Sequence, residues 1–213
     1  MILISVLIEK LDELRRRDRK LAVSGAASHR YEMKRPMSAR TLTKLETDHG
    51  FSFPDDYRDF LLHVGDGGAG PSYGVFPFGK WDGTGAGLER WLGKPYVVSS
   101  LRDDFPLSKK WSLPAAAMKP PVKFKSDEEE DAWGERLDAQ LYPAELTRGW
   151  FPICHHGCAI RTYLVVNGKE RGHVWDDARA EQGPVRPHTR NGKRLTFSKW
   201  YEQWLDDSLK SVR

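Results

Sequence analysis

Apolar positions open the chain with a helical rhythm. Leu3, Leu7, Leu11 and Leu14 fall on one stripe, which predicts an amphipathic helix over residues 2–18. The small residues from Ala22 to Ser28 read as a linker. Ser38 is placed to cap a second helix carrying Leu42 and Leu45, with Gly50 at its end. A serine hydroxyl accepts from the free N–H groups of a first turn, and glycine takes the left-handed exit readily. Pro54 suits the first turn of a third helix, and Asp55 and Asp56 favour its positive end. Tyr57, Phe60, Leu61 and Val64 repeat at helical spacing until Gly65. From Gly65 to Gly87 the chain is glycine-rich, with Tyr73, Phe76, Phe78 and Trp81 interleaved. This pattern predicts an ordered loop held by aromatic anchors. Tyr96-Val97-Val98 predicts a short strand.

Pro106, Pro114, Pro120 and Pro121 make residues 102–125 irregular. Ser126, with Glu129 three residues on, is a capping box. The acidic run Asp127 to Asp131 therefore reads as a helix start, with Trp133, Leu137 and Leu141 as the inner stripe and Pro143 as the stop. The pattern then changes. Trp150–Ile153 and Ile160–Val166 are apolar and β-branched, and Asn167-Gly168 predicts a tight hairpin to a return strand at Gly172–Trp175. Thr196 is placed to cap a last helix striped by Phe197, Trp200, Tyr201, Trp204, Leu205 and Leu209. Helices, then strands, then a closing helix predict an α+β single domain. Its sheet is largely antiparallel, helices pack on one side, and the terminal helix is amphipathic.

Composition narrows the picture. At 213 residues, one domain with insertions is favoured over two. Hydrophobic residues are 39% and charged residues 30%, which fits a globular chain rather than a disordered one. Lys and Arg number 34 against 30 Asp and Glu, a net charge of +4 that is too mild to call for nucleic acid. Two cysteines make no disulfide framework and point to a reducing compartment. The apolar opening precedes the basic run Arg15 to Lys20, the reverse of signal-peptide order. No stretch approaches the roughly 20 apolar residues of a membrane span. The expectation is a cytoplasmic protein with no membrane partner.

Several motifs tempt and then fail. Gly65-Asp66-Gly67-Gly68-Ala69-Gly70 matches a dinucleotide fingerprint, yet it follows a helix where that fingerprint needs a strand. Gly74 to Trp81 approximates a phosphate loop, but Trp81 stands where a magnesium-binding hydroxyl is required. Cys154-His155-His156-Gly157-Cys158 packs four potential ligands into five residues. Structural zinc sites draw on two separated pairs, so this segment reads first as a polar turn between strands. A metal site recruiting His173 or His188, or a Cys158 thiolate paired with a histidine, is the weaker alternative. The seven histidines are scattered and yield no catalytic triad by spacing. No catalysis, cofactor or metal is expected. The basic runs Arg15 to Lys20 and Arg186 to Arg194 read as solvated surface.

Two segments taken together resemble a known superfamily. The first is Phe53-Pro54-Asp55-Asp56-Tyr57-Arg58-Asp59-Phe60-Leu61, leading into Gly65-Asp66-Gly67-Gly68. The second runs from Trp150-Phe151-Pro152-Ile153 through Tyr163 to Val166 and Gly172-His173-Val174-Trp175-Asp176 to the closing aromatic helix. This order is similar to the SUKH superfamily, which includes the yeast cell-wall-assembly regulator and many bacterial immunity proteins. The resemblance covers roughly residues 38 to 209. Phe53 replaces the family's Leu, Asp66 replaces its Asn, and residues of about 100–145 form an insertion. Residues 1–35 form an N-terminal helix and linker outside the resemblance, and 36–213 the SUKH-like domain.

The resemblance implies a non-catalytic protein-binding module. Its first form is an immunity-type inhibitor of a polymorphic toxin. The alternative is an intracellular scaffold or regulator of the same fold, and a metal enzyme built on Cys154 to Cys158 is a third. The implied contact surface comprises Asp66, Gly67, Gly68, Tyr73, Trp81, Trp175 and Asp176, because aromatic anchors carry much interface energy. Inhibitors of nucleases tend to be acidic, so the mild positive charge disfavours a nuclease toxin as partner, although Asp127 to Asp131 offers a local negative patch.

Overall fold

The computed structural model describes residues 4–79 and 100–212. Trp81 and the strand expected at residues 96–98 lie outside the described residues. Among those described, the helices are α1 (Ile4–Arg17), α2 (Ala26–His29), α3 (Ala39–His49), α4 (Asp55–His63), α5 (Ala115–Met118), α6 (Asp127–Leu141) and α7 (Phe197–Ser211). The strands are β1 (Trp150–Gly157), β2 (Ile160–Val165), β3 (Val174–Asp177) and β4 (Val185–Pro187), plus a small pair, β5 (Thr189–Arg190) and β6 (Lys193–Arg194). β1 to β4 form one antiparallel sheet in sequence order. The fold is α+β, in one domain. No helix among the described residues is long and apolar enough to cross a membrane.

Period-two alternation divides the sheet into two faces. Phe151, Ile153, Leu164 and Val174 join a core built with α1, α4 and α7. Trp150, Tyr163, Val165 and Trp175 point the other way, into a second core with Phe105 and Val185. The first core is largely aromatic. Phe197 meets Tyr57 at 4.6 Å and Phe60 at 4.8 Å between ring centroids, both edge-on. Such pairs add about 0.5–1.5 kcal/mol beyond area burial. Leu7, Leu11 and Leu14 of α1 are buried in the same core. Lys10 bridges from α1 to Glu202 at 2.9 Å and Asp206 at 2.7 Å on α7.

The insertion covers the second face. The Phe105 ring lies 4.7 Å from Trp150 and 4.9 Å from Trp175. Gly149 lets the backbones meet: its φ is +72°, and a Cβ there would stand 2.3 Å from the Phe105 nitrogen. Arg179 is fully buried and pins the end of α6 to the sheet. It donates to both Asp177 carboxylate oxygens, at 2.8 and 2.7 Å, and to the Leu141 carbonyl at 3.1 Å. Its guanidinium also sits 4.7 Å from the centre of the Tyr142 ring.

Several local expectations change in detail. Asn167-Gly168 does not make a two-residue hairpin. The connection runs to Val174, and the Asn167 Nδ2 instead donates to the Arg102 carbonyl at 2.7 Å, tying down the insertion. The tight turn falls at Cys158-Ala159, both with positive φ, between β1 and β2. Ser38 and Ser126 cap as expected, accepting from Thr41 and Glu129. Thr196 does not cap α7 with its side chain. Asp56 of α4 does that work across the core, accepting from the Ser198 N–H at 2.9 Å. The stretch from Ala22 to Ser28 is no soft linker. Both Asp18 carboxylate oxygens accept backbone N–H groups there, from Ala22 at 2.7 Å and Val23 at 2.9 Å, and Oδ2 also takes the Tyr31 hydroxyl at 2.6 Å.

Candidate binding cleft and its hydrogen-bond relay

The glycine-rich loop is stitched to the sheet edge. Gly68 bridges Met33 on one side and Val75 on the other, and Val75 in turn bridges Cys154 of β1. Gly67 has a φ of +82°, and a Cβ there would come within 2.6 Å of the Pro77 nitrogen, so only glycine lets the loop fold this tightly. The Asp66 carboxylate accepts from the Phe78 N–H at 2.8 Å. At the loop's tip Tyr73 is 57% exposed, and its ring stacks on His155 at 5.5 Å.

Beside that tip lies an open cleft of about 550 Å³. Ala22, Val23 and Ser24 form one wall, Trp200 to Ser211 of α7 the opposite one, and Pro71, Ser72, His156 and His188 the floor. Gly25 allows the first wall to approach. A Cβ there would stand 1.5 Å from the Ser72 carbonyl oxygen.

A chain of hydrogen bonds runs beneath the floor. Ser72 Oγ lies 2.8 Å from His156 Nδ1, and His156 Nε2 lies 2.7 Å from Thr162 Oγ1. The Thr162 hydroxyl donates to Asp176 Oδ1 at 3.2 Å. His188 Nδ1 approaches the same carboxylate, at 2.9 Å from Oδ2. Burial pushes the His156 pKa below its ordinary 6.5; Asp176 opposes this, while His155 and His188 add to it. The imidazole is accordingly neutral at pH 7. Burial raises the Cys154 pKa, and its Sγ points at the Pro71 carbonyl. Cys158 is exposed in the turn. Among the described residues, no three His, Cys, Asp or Glu side chains meet in a way that could hold a metal ion.

The residues expected at a contact surface therefore divide. Asp66, Gly67, Gly68 and Tyr73 share the loop, and Asp176 sits under the cleft. Trp175 is 0% exposed and packs on Phe105, so it belongs to the second core rather than to a surface. A model of the SMI1 / KNR4 family (SUKH-1) matches residues 36–187. The chain belongs to that family. Neither a curated protein nor a solved structure matches it. The matched region holds the glycine-rich loop, β1, β2 and β3. Both cleft walls, at residues 22–24 and on α7, lie outside it. Sequence reading missed Ser72 and Thr162. Each is an ordinary hydroxyl residue until the fold sets it against His156.

Proposed function

We propose that this protein is a protein-binding module of the immunity type, which occupies a toxin domain in a bacterium and blocks it by binding. Towards that partner it is non-catalytic: the partner is covered, not converted. Membership of the SUKH-1 family supports the general class. The observation that carries the placement is Tyr73, a large exposed aromatic on a loop whose backbone is held to the sheet edge. Exposed aromatics that are already ordered lose little entropy on docking and make effective anchors. Asp66, Gly67 and Gly68 hold the loop in shape, and Tyr73 makes the contact.

The test is affinity capture from the native organism, with wild type and Tyr73→Ala side by side and proteins read by mass spectrometry. A stoichiometric toxin-like partner, retained by wild type and lost by the variant, is expected. A partner from wall assembly or another housekeeping process would replace the immunity reading with the scaffold one. A partner retained equally by Tyr73→Ala would refute the placement on the loop tip.

A further inference from the structure

Partner binding at the loop tip makes no use of the hydroxyl on the cleft floor. That hydroxyl stands in a relay with a defined direction. The Thr162 hydroxyl donates to Asp176 Oδ1, so its hydrogen is committed there. Thr162 Oγ1 then accepts from His156 Nε2–H, which leaves Nδ1 as the lone-pair nitrogen facing Ser72. A neutral imidazole 2.8 Å from a serine oxygen, itself oriented from behind, is the arrangement of nucleophile, base and orienting group. Ser72 also has a φ of +50°, a left-handed conformation uncommon for a residue with a side chain. Backbone strain of this kind gathers at reactive positions. The wall over Ser72 is preformed, because Asp18 fixes Ala22 and Val23 and Gly25 packs on the Ser72 carbonyl.

We propose that Ser72 is a primed nucleophile that accepts acyl groups from small uncharged carboxylic esters, with His156 as its general base and Thr162 and Asp176 as positioning residues. The ester class follows from the cleft. Val23, Pro71 and Trp204 line it, no described Lys or Arg does, and the Asp207 carboxylate on its α7 wall is paired with Arg190 and Lys210. Ser72 Oγ attacks the ester carbonyl carbon while its proton passes to His156 Nδ1. The carbon–oxygen bond to the alcohol breaks, and the alcohol leaves with that proton. Water then attacks the acyl-serine carbonyl and gives a proton to His156; the bond to Ser72 Oγ breaks, His156 passes that proton to Ser72, and the carboxylic acid is released.

The experiment treats the purified full chain with a fluorophosphonate probe and, separately, with p-nitrophenyl acetate, and reads intact mass and acetate release. One adduct per chain is expected, mapping to Ser72 and absent from Ser72→Ala. A general base contributes about 100-fold or more, so His156→Gln is expected to slow labelling by at least that factor. The wild-type labelling rate is expected to rise with pH through one inflection below 6.5, where His156, flanked by His155, His188 and Asp176, loses its proton. Thr162→Val is expected to weaken that dependence and Thr162→Ser to restore it. Labelling no faster than in Ser72→Ala, an adduct elsewhere, or a wild-type rate flat across that pH range would overturn the proposal. No partner is needed for any of these measurements. The proposal can therefore fail while partner capture succeeds, or hold while capture fails.

Discussion

Asp18 offers the sharpest test of how the cleft wall is held. The carboxylate is buried and takes three donors: the Ala22 and Val23 N–H groups and the Tyr31 hydroxyl. Asp18→Ala removes all three acceptors. Ala22 is exposed and its N–H can turn to water. The Tyr31 hydroxyl belongs to a side chain only 2% exposed and is left stranded. A stranded buried hydroxyl costs about 1–3 kcal/mol, and losing the half-buried Val23 bond adds about 1. The expected total is about 2–4 kcal/mol. For a chain of this size each kcal/mol moves Tm by about 2–4 °C, so thermal unfolding followed by circular dichroism should shift down by about 4–16 °C. Tyr31→Phe removes the stranded group. In that background, Asp18→Ala should cost at least about 1 kcal/mol less than it does alone. A Tm shift under about 2 °C, or strictly additive effects in the double variant, would refute this account of the wall. The pH dependence has a definite sign. Burial alone would raise the Asp18 pKa, but the bonds from Tyr31, Val23 and Ala22 outweigh it and leave it below 3.8. A folded pKa below the unfolded one stabilises above the unfolded value and is lost as pH falls through the folded one. The gap between wild type and Asp18→Ala should therefore be full at neutral pH and narrow in acid below 3.8.

Two further outcomes are expected. In the folded protein a thiol reagent should modify only Cys158, and in denaturant both cysteines, because Cys154 is buried with its pKa raised while Cys158 lies exposed in a turn; counting thiols by mass checks this, and rapid native labelling of Cys154 would contradict its burial. Trp175→Ala should cost about 3–5 kcal/mol by opening the second core, whereas Tyr73→Ala should stay within about 0.5 kcal/mol of wild type; denaturant titrations of both variants compare them, and a mild Trp175→Ala would mean that Phe105 does not pack on it as described.

Much of this fold was legible along the chain because its causes are short-range. Helix stripes, the serine caps at Ser38 and Ser126, and the glycine exit at Gly50 each depend on residues within a turn or two of one another. The same holds for the family-like run from Phe53 to Gly68. Alternation in β1 to β3 announced two-faced strands, and it placed Trp175 opposite Val174. It could not say what would cover Trp175, because the covering residue, Phe105, arrives from an insertion about 70 residues away. The Asn167-Gly168 signal was overridden in the same way, since its side chain found better partners in the insertion than in a tight turn.

The relay shows the division most clearly. Sequence marked His156 and Asp176 as residues of interest but gave no reason to join them. Ser72, Thr162 and Asp176 become one chain of hydrogen bonds only because β2 pairs with β3 in a register that sets Thr162 beside Asp176. The glycine-rich loop then lays Ser72 across the end of β1. By itself the sequence determined which stretches coil or extend and which of their sides avoid water, since those follow from local periodicity and caps. Only the tertiary structure decided what each buried side meets and which polar groups share a proton, because both depend on distances set by sheet register and packing rather than by spacing along the chain.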